Sequence, residues 1–227
     1  MQQIATAQAQ AFDLDKVPRY IAVEGPIGVG KTTLTKRLAE IFNYDTLLEQ
    51  PEENPFLKRF YEDPKGSALP TQLFFLFQRS RQLQSIRQAD MFQQVRVADF
   101  LIEKDPLFAR VTLDDDEFQL YQNVYQQLTL NAPTPDLVIY LQSPTDVLLE
   151  RIQTRGIPEE QFIQADYLKA LNDAYTQFFH YYDDAPLLIV NASEVDFANN
   201  DKDFYDLVSY LMKVKTGKHY YNPHPFL

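Results

Sequence analysis

The chain has 227 residues, 45% hydrophobic and 23% charged, with 21 Lys and Arg against 32 Asp and Glu, hence a formal charge of −11 and a pI near 4.7. That length suits one α/β domain with a substantial core, while the acidic balance argues against nucleic acid as a partner, whose binding needs clustered cations. The absence of cysteine excludes disulfides, thiolate nucleophiles and sulfur-held zinc, and no apolar run approaches the ~20 residues that cross a bilayer.

The N-terminal MQQIATAQAQAFDLDK has neither the basic flank nor the apolar centre of a signal peptide. Residues 1–17 read as a mobile or loosely docked tail on a single domain spanning 18–227, and a cytoplasmic protein is expected. Strand-like stretches follow at Tyr20–Val23, Thr46–Leu48, Val95–Ala98, Leu137–Leu141 and Leu187–Val190. Segments with helical period separate them, at 31–42, 53–61, 67–90, 101–109, 114–131, 144–155, 164–182 and 201–213. Ser143-Pro144 and the acidic run Asp114–Glu117 are suitable helix starts. The alternation predicts a five-stranded parallel sheet with helices on both faces, and the near-continuous apolar character of LVIYL and LLIV fits strands covered on both sides. The run FFHYY, with Phe178, Phe179, Tyr181 and Tyr182, suggests a buried face or a subunit contact. His219 to Leu227 reads as irregular, and His180, His219 and His224 give no metal-binding pattern.

Residues 25–32 read GPIGVGKT, the pattern G-x-x-x-x-G-K-[ST], after the strand YIAVE and before the helical TLTKRLAEIF. Three of the chain's six glycines fall in this loop. The backbone can therefore curl so that successive N–H groups point at a phosphate, with the partial positive charge of the helix N-terminus added. Gly25, Gly28, Val29, Gly30, Lys31, Thr32 and Thr33 are the expected ATP-binding residues. Lys31 can reach the β- and γ-phosphate oxygens and the Thr32 hydroxyl can hold Mg²⁺. The loop implies a nucleoside triphosphate and leaves the acceptor open.

The segments LLEQPEENPFLKRFYEDP (47–64), LPTQLFFLFQRSRQL (69–83), VADFLIEKDPLFA (97–109) and ERIQTRGIPEEQFI (150–163) narrow the acceptor. In order and spacing they resemble the deoxyribonucleoside kinase family, P-loop enzymes that phosphorylate the 5′-hydroxyl of a deoxynucleoside. The resemblance covers about residues 19–213 and implies a three-layer P-loop kinase fold with a short lid at about 151–163, ATP as donor, Mg²⁺ as cofactor and a homodimer formed through helices.

By that resemblance Glu49, five residues before Asn54-Pro55, is the general base, a role suited to a carboxylate at the carboxyl end of a parallel strand. Gln72, Phe75 and Arg79 fit the helix that reads the base, and Asp105 is the acid paired with Arg79. The resemblance links that pair to bases with an exocyclic amine, which favours deoxyadenosine or deoxycytidine. Tyr61 and Glu160 match the residues that contact the sugar 3′-hydroxyl. Arg151 and Arg155, one turn apart, would close on the phosphates as charge develops, and Asp99 would hold Mg²⁺ or support the base.

Two cations of the pattern are missing. Where the resemblance implies an acid-Arg-Ser triplet the chain has Asp99-Phe100-Leu101, and a further lid arginine is replaced by Ile157. Lys104, Arg96 or Arg110 could compensate, Lys104 being the one that can point toward the site. Two other readings compete. A nucleoside monophosphate kinase would want an arginine soon after the second strand, where Glu49 instead suits an uncharged hydroxyl. A non-catalytic P-loop subunit would explain the missing arginines, but not the intact loop.

Overall fold

Runs as apolar as YIAVE and LVIYLQ need cover on both faces, and the tertiary structure supplies it. A computed structural model describes residues 16–64, 66–89 and 96–222. The strands are β1 (Tyr20–Glu24), β2 (Asp45–Leu47), β3 (Arg96–Ala98), β4 (Leu137–Gln142), β5 (Leu187–Asn191) and β6 (Lys218–Tyr221), in one sheet of order β2-β3-β1-β4-β5-β6. Every pairing is parallel, with Ile21 opposite Val97 on one side and Leu137 on the other. The helices are α1 (Lys31–Phe42), α2 (Leu57–Glu62), α3 (Ala68–Ala89), α4 (Asp105–Thr112), α5 (Asp115–Thr129), α6 (Thr145–Arg155), α7 (Ala165–Tyr181) and α8 (Asp201–Leu211).

Side chains alternate across the sheet as the strand period of two requires. Ile21, Val23, Ile139 and Leu141 face α1, α6 and α8, while Ala22, Val138 and Tyr140 face α7, where Tyr140 stacks on Phe179 at 4.1 Å between ring centroids. The expected aromatic face of 178–182 is therefore mostly core, with Phe179 and Tyr182 buried and Tyr181 exposed. A third cluster packs α3 and α5 against the sheet near β2 and β3. The acidic start of α5 is a capping box: the Glu117 backbone N–H donates to Asp114 Oδ1 at 2.9 Å and the Asp114 N–H to Glu117 Oε2 at 3.3 Å.

Four expectations need correction. The sheet has six strands rather than five, because Lys218–Tyr221, which runs into the stretch from His219 read as irregular, pairs with β5. An edge strand of four half-exposed residues carries no continuous apolar signal. The helix expected at 53–61 is a 3-10 turn, Pro51–Glu53, followed by α2, since Pro55 keeps Asn54 extended. The one expected at 101–109 is likewise a 3-10 turn, Ile102–Lys104, followed by α4. Val17, assigned by sequence to the tail, is buried in the core. The rest of that tail through Asp15, Val95 of the third strand, and His224 lie outside the described residues.

β1 has β3 on one side and β4 on the other, so the chain leaves its carboxyl end in two directions. The crevice that this opens is where ligands bind in doubly wound sheets.

Candidate active site

The loop between β1 and α1 bends sharply. Gly28 has φ 84°, and a Cβ there would stand 3.0 Å from the Leu148 carbonyl oxygen and 2.9 Å from Ile152 Cγ1. A Cβ on Gly25 would meet the Leu141 carbonyl oxygen at 2.6 Å. Gly30, in the left-handed region, begins α1 with no side-chain cap, so the first-turn N–H groups remain available to an anion. Lys31 Nζ lies over the loop, donating to Gly25 O at 2.7 Å and Pro26 O at 3.3 Å. Burial pushes its pKa down, against the opposing pull of Glu24, Glu49 and Asp99. The Thr32 hydroxyl donates to Asp99 Oδ2 at 2.6 Å, and Asp99 Oδ1 accepts the Glu49 backbone N–H at 2.8 Å. These contacts join the loop, the end of β3 and the segment after β2.

The loop opens on a cavity of about 150 Å³ whose lining includes Lys31, Thr32, Glu49, Asp99, Arg155 and Glu160. Tyr61, Gln72, Phe75 and Arg79 line it as well. Sequence positions from 28 to 160 thus converge in one space. Gln72 is buried, and Phe75 lies 5.1 Å below the Arg79 guanidinium. Arg79 makes the expected pair with Asp105 through Nη1. It also grips Glu49, with Nε donating to Oε1 at 2.8 Å and Nη2 bonded to the same oxygen. Burial alone would raise the Glu49 pKa, but Arg79, Lys104 and Lys31 outweigh it and hold the carboxyl at about 2. Asp105 sits behind Arg79, outside the cavity lining, with Oδ2 unpartnered among the described residues and a pKa pushed by burial up to about 6.

The two lid arginines part company. Arg155 faces the cavity and pairs with Glu160. Arg151 points to the far side of the loop, donating to Val29 O at 3.3 Å and Ala192 O at 2.8 Å. There, with Thr33 and the loop 193–199, it lines a separate cleft of about 430 Å³. Phe100 is fully buried in the apolar cluster with Leu47, Phe60 and Ala98, and Ile157 is exposed.

Sequence reasoning missed Glu24, the last residue of β1, which is wholly buried. Its Oε1 accepts from the Gly25 N–H at 2.9 Å and the Tyr175 hydroxyl at 2.8 Å, and its Oε2 from the Leu101 N–H at 2.9 Å. A lone acid closing an apolar strand was the available signal.

Glu103, beside Lys104, is not part of the cavity lining, and its Oε2 has no hydrogen-bond partner among the described residues. Burial, with Asp184, Asp105 and Glu24 adding to it, lifts its pKa from the usual 4.5 to about 7. The folded state therefore prefers the protonated acid. Its favourable contribution is complete below about 4.5 and is lost as pH rises through about 7. Glu103→Gln is expected to stabilise the protein by about 2 kcal/mol at pH 8 and by almost nothing at pH 5, as read by urea unfolding at the two pH values.

A phosphate loop on the first strand of a parallel sheet, with a carboxylate facing it across a cavity, defines a P-loop kinase that transfers phosphate to a small acceptor. The deoxynucleoside kinase family model matches residues 21–214, and the chain belongs to that family. It is 34% identical to deoxyguanosine kinase of Bacillus subtilis (strain 168), over 86% of this chain and 97% of the relative. It is 28% identical to the deoxyadenosine/deoxycytidine kinase of the same organism, over 86% and 92%. Among solved structures, deoxyadenosine kinase from M. mycoides with bound dATP superposes with a TM-score of 0.73 at 28% identity, covering 85% of this chain and 98% of that one. The reaction is ATP-dependent phosphorylation of a deoxynucleoside, and its ligands are nucleosides and nucleotides. No helix among the described residues is long and apolar enough to cross a membrane.

Proposed function

We propose that the enzyme transfers the γ-phosphoryl group of Mg·ATP to the 5′-hydroxyl of deoxyadenosine or deoxycytidine, serving nucleotide salvage in the cytoplasm. The observation that carries this reading is the single cavity that brings Lys31 and Glu49 together with Gln72, Phe75 and Arg79. Glu49 takes the 5′-hydroxyl proton. Gln72 and Arg79 read the base, Phe75 stacks beside it, and Tyr61 and Glu160 bind the 3′-hydroxyl. The loop residues Gly25 to Thr33, with Lys31, cradle the phosphates, and the cleft beside Arg151 takes the remainder of ATP. Arg155, and Arg151 from the other side of the loop, offset charge as it develops on the transferred group.

Magnesium fits this donor set. Thr32 Oγ1 and Asp99 Oδ2 are hard oxygens 2.6 Å apart at the mouth of the loop, and Mg²⁺ characteristically takes one or two protein oxygens, completing its shell with water and phosphate. When bound it would neutralise phosphate charge. A homodimer is also part of this reading, with exposed Phe77 on α3 and Leu120 on α5 offering apolar surface for it.

Incubation with Mg·ATP and each of the four deoxynucleosides, with monophosphate quantified, tests the reading. The highest kcat/KM is expected for deoxyadenosine or deoxycytidine, the bases with which the resemblance links the Arg79–Asp105 pair; Asp105 lies behind Arg79, so the acceptor that faces an exocyclic amine is the Gln72 amide oxygen. Turnover of none would refute the kinase assignment. Preference for thymidine would refute the role given to that pair. A second reading, deoxyguanosine, has its support in the 34% identical relative, and the same assay separates it from the first.

A further inference from the structure

Lys104 is 1% exposed, and a lysine that deep persists only where opposite charge surrounds it. Its Nζ stands 3.5 Å from Glu24 Oε2 and 3.6 Å from Glu49 Oε1, and 4.4 Å above the Phe108 ring centroid. Around this point Lys31 at the start of α1 and Arg79 on α3 are the other cations. Glu24, Glu49, Asp99 and Asp105 are the acids, and the Tyr175 hydroxyl approaches from α7. Glu24 already receives two backbone N–H groups and that hydroxyl. Lys104 therefore adds charge balance to Glu24 rather than a missing hydrogen bond. Glu49 differs, since Arg79 and Lys104 converge on its Oε1, while Oε2 accepts no hydrogen bond from the described residues.

We infer that Lys104 is a positioning residue for phosphoryl transfer: it fixes the Glu49 carboxylate by Oε1, leaving Oε2 to the acceptor hydroxyl, and ties it through Glu24 to the root of the phosphate loop. Glu24 bonds Gly25, the first loop glycine, and Leu101, two residues past Asp99. One ammonium thus sets the base, the loop and the end of β3 in a common frame. The inference rests on Glu49 acting as base. It also accounts for the apolar Phe100, because the cation that serves the acid arrives from the turn at 102–104 instead.

The test compares Lys104→Met, Lys104→Gln, Glu49→Gln and the double variant Lys104→Met/Glu49→Gln at saturating Mg·ATP with the best deoxynucleoside, with circular dichroism to verify folding. Both Lys104 variants are expected to lose about 100-fold in kcat with the nucleoside KM changed less than about threefold. Added to Glu49→Gln, Lys104→Met is expected to cost less than about twofold more, because a residue acting through Glu49 has nothing left to position. Equal losses in both backgrounds, an effect confined to KM, or unchanged turnover would overturn the inference. A fully active Glu49→Gln would overturn the base reading itself, and this inference with it. If neither single variant folds, the double variant, which removes opposing charges together, is expected to fold with the residual activity of Glu49→Gln. Its failure to fold would assign Lys104 a purely structural role.

Discussion

Glu49→Gln is expected to lower kcat by about 10²–10³ while leaving the deoxynucleoside KM within about threefold. The amide keeps the size of the carboxylate and can still accept from Arg79, so the cavity retains its shape, but it cannot take the 5′-hydroxyl proton. Phosphoryl transfer passes through a loose transition state in which positioning and charge stabilisation do most of the work. For that reason the loss belongs at the lower end of the range for general bases. Steady-state rates against deoxynucleoside concentration at fixed Mg·ATP provide the measurement. A drop of only two- or threefold would mean that the proton leaves by another route, and that Glu49 serves only to hold Arg79.

The larger structural effect is expected at Arg79. Its guanidinium is shared between Glu49 and Asp105, and its side chain is 7% exposed against 19% and 1% for theirs. Arg79→Met leaves both acids without that partner. Removing one member of a buried ion cluster costs about 3–5 kcal/mol because the remaining charge has lost its solvation and its counterpart. Here the lower figure applies, since Asp105, already at about 6, can escape by taking up a proton. At roughly 2–4 °C per kcal/mol for a chain of this size, the midpoint of thermal unfolding should fall by about 10 °C. Adding Asp105→Asn should recover part of it, as it removes the orphaned charge. A parent-like midpoint for Arg79→Met would show that the ion cluster contributes nothing net. The same variant should lose about 100-fold or more in kcat/KM, since the donor proposed to read the base is gone.

Legibility followed the range of the interactions. GPIGVGKT was readable because its glycines, Lys31 and Thr32 act within one turn between a strand and a helix. The Gln72–Arg79 face was readable because α3 holds its spacing whatever it packs against. The run YIAVE announced a buried strand, but the half-exposed KHYY at the sheet edge did not, and Pro55 divided a stretch whose apolar spacing alone suggested one helix. Arg151 and Arg155, one turn apart, look equivalent in sequence. In the fold the phosphate loop runs between them, so one faces the cavity that holds Glu49 and the other the cleft beside Thr33 and 193–199.

Composition was informative only in bulk. The charge of −11 describes the whole surface, whereas the site depends on where a few cations stand. From the sequence alone came the parallel α/β architecture, the nucleotide loop and the residues resembling a deoxynucleoside kinase, all of which rest on local periodicity and short spacing. Only the tertiary structure decided how the acid is held. Glu24, Glu49, Arg79 and Lys104 come from four separate elements and meet at 2.8–3.6 Å. An electrostatic contact of that kind depends on distance in space, and nothing in the spacing along the chain encodes it.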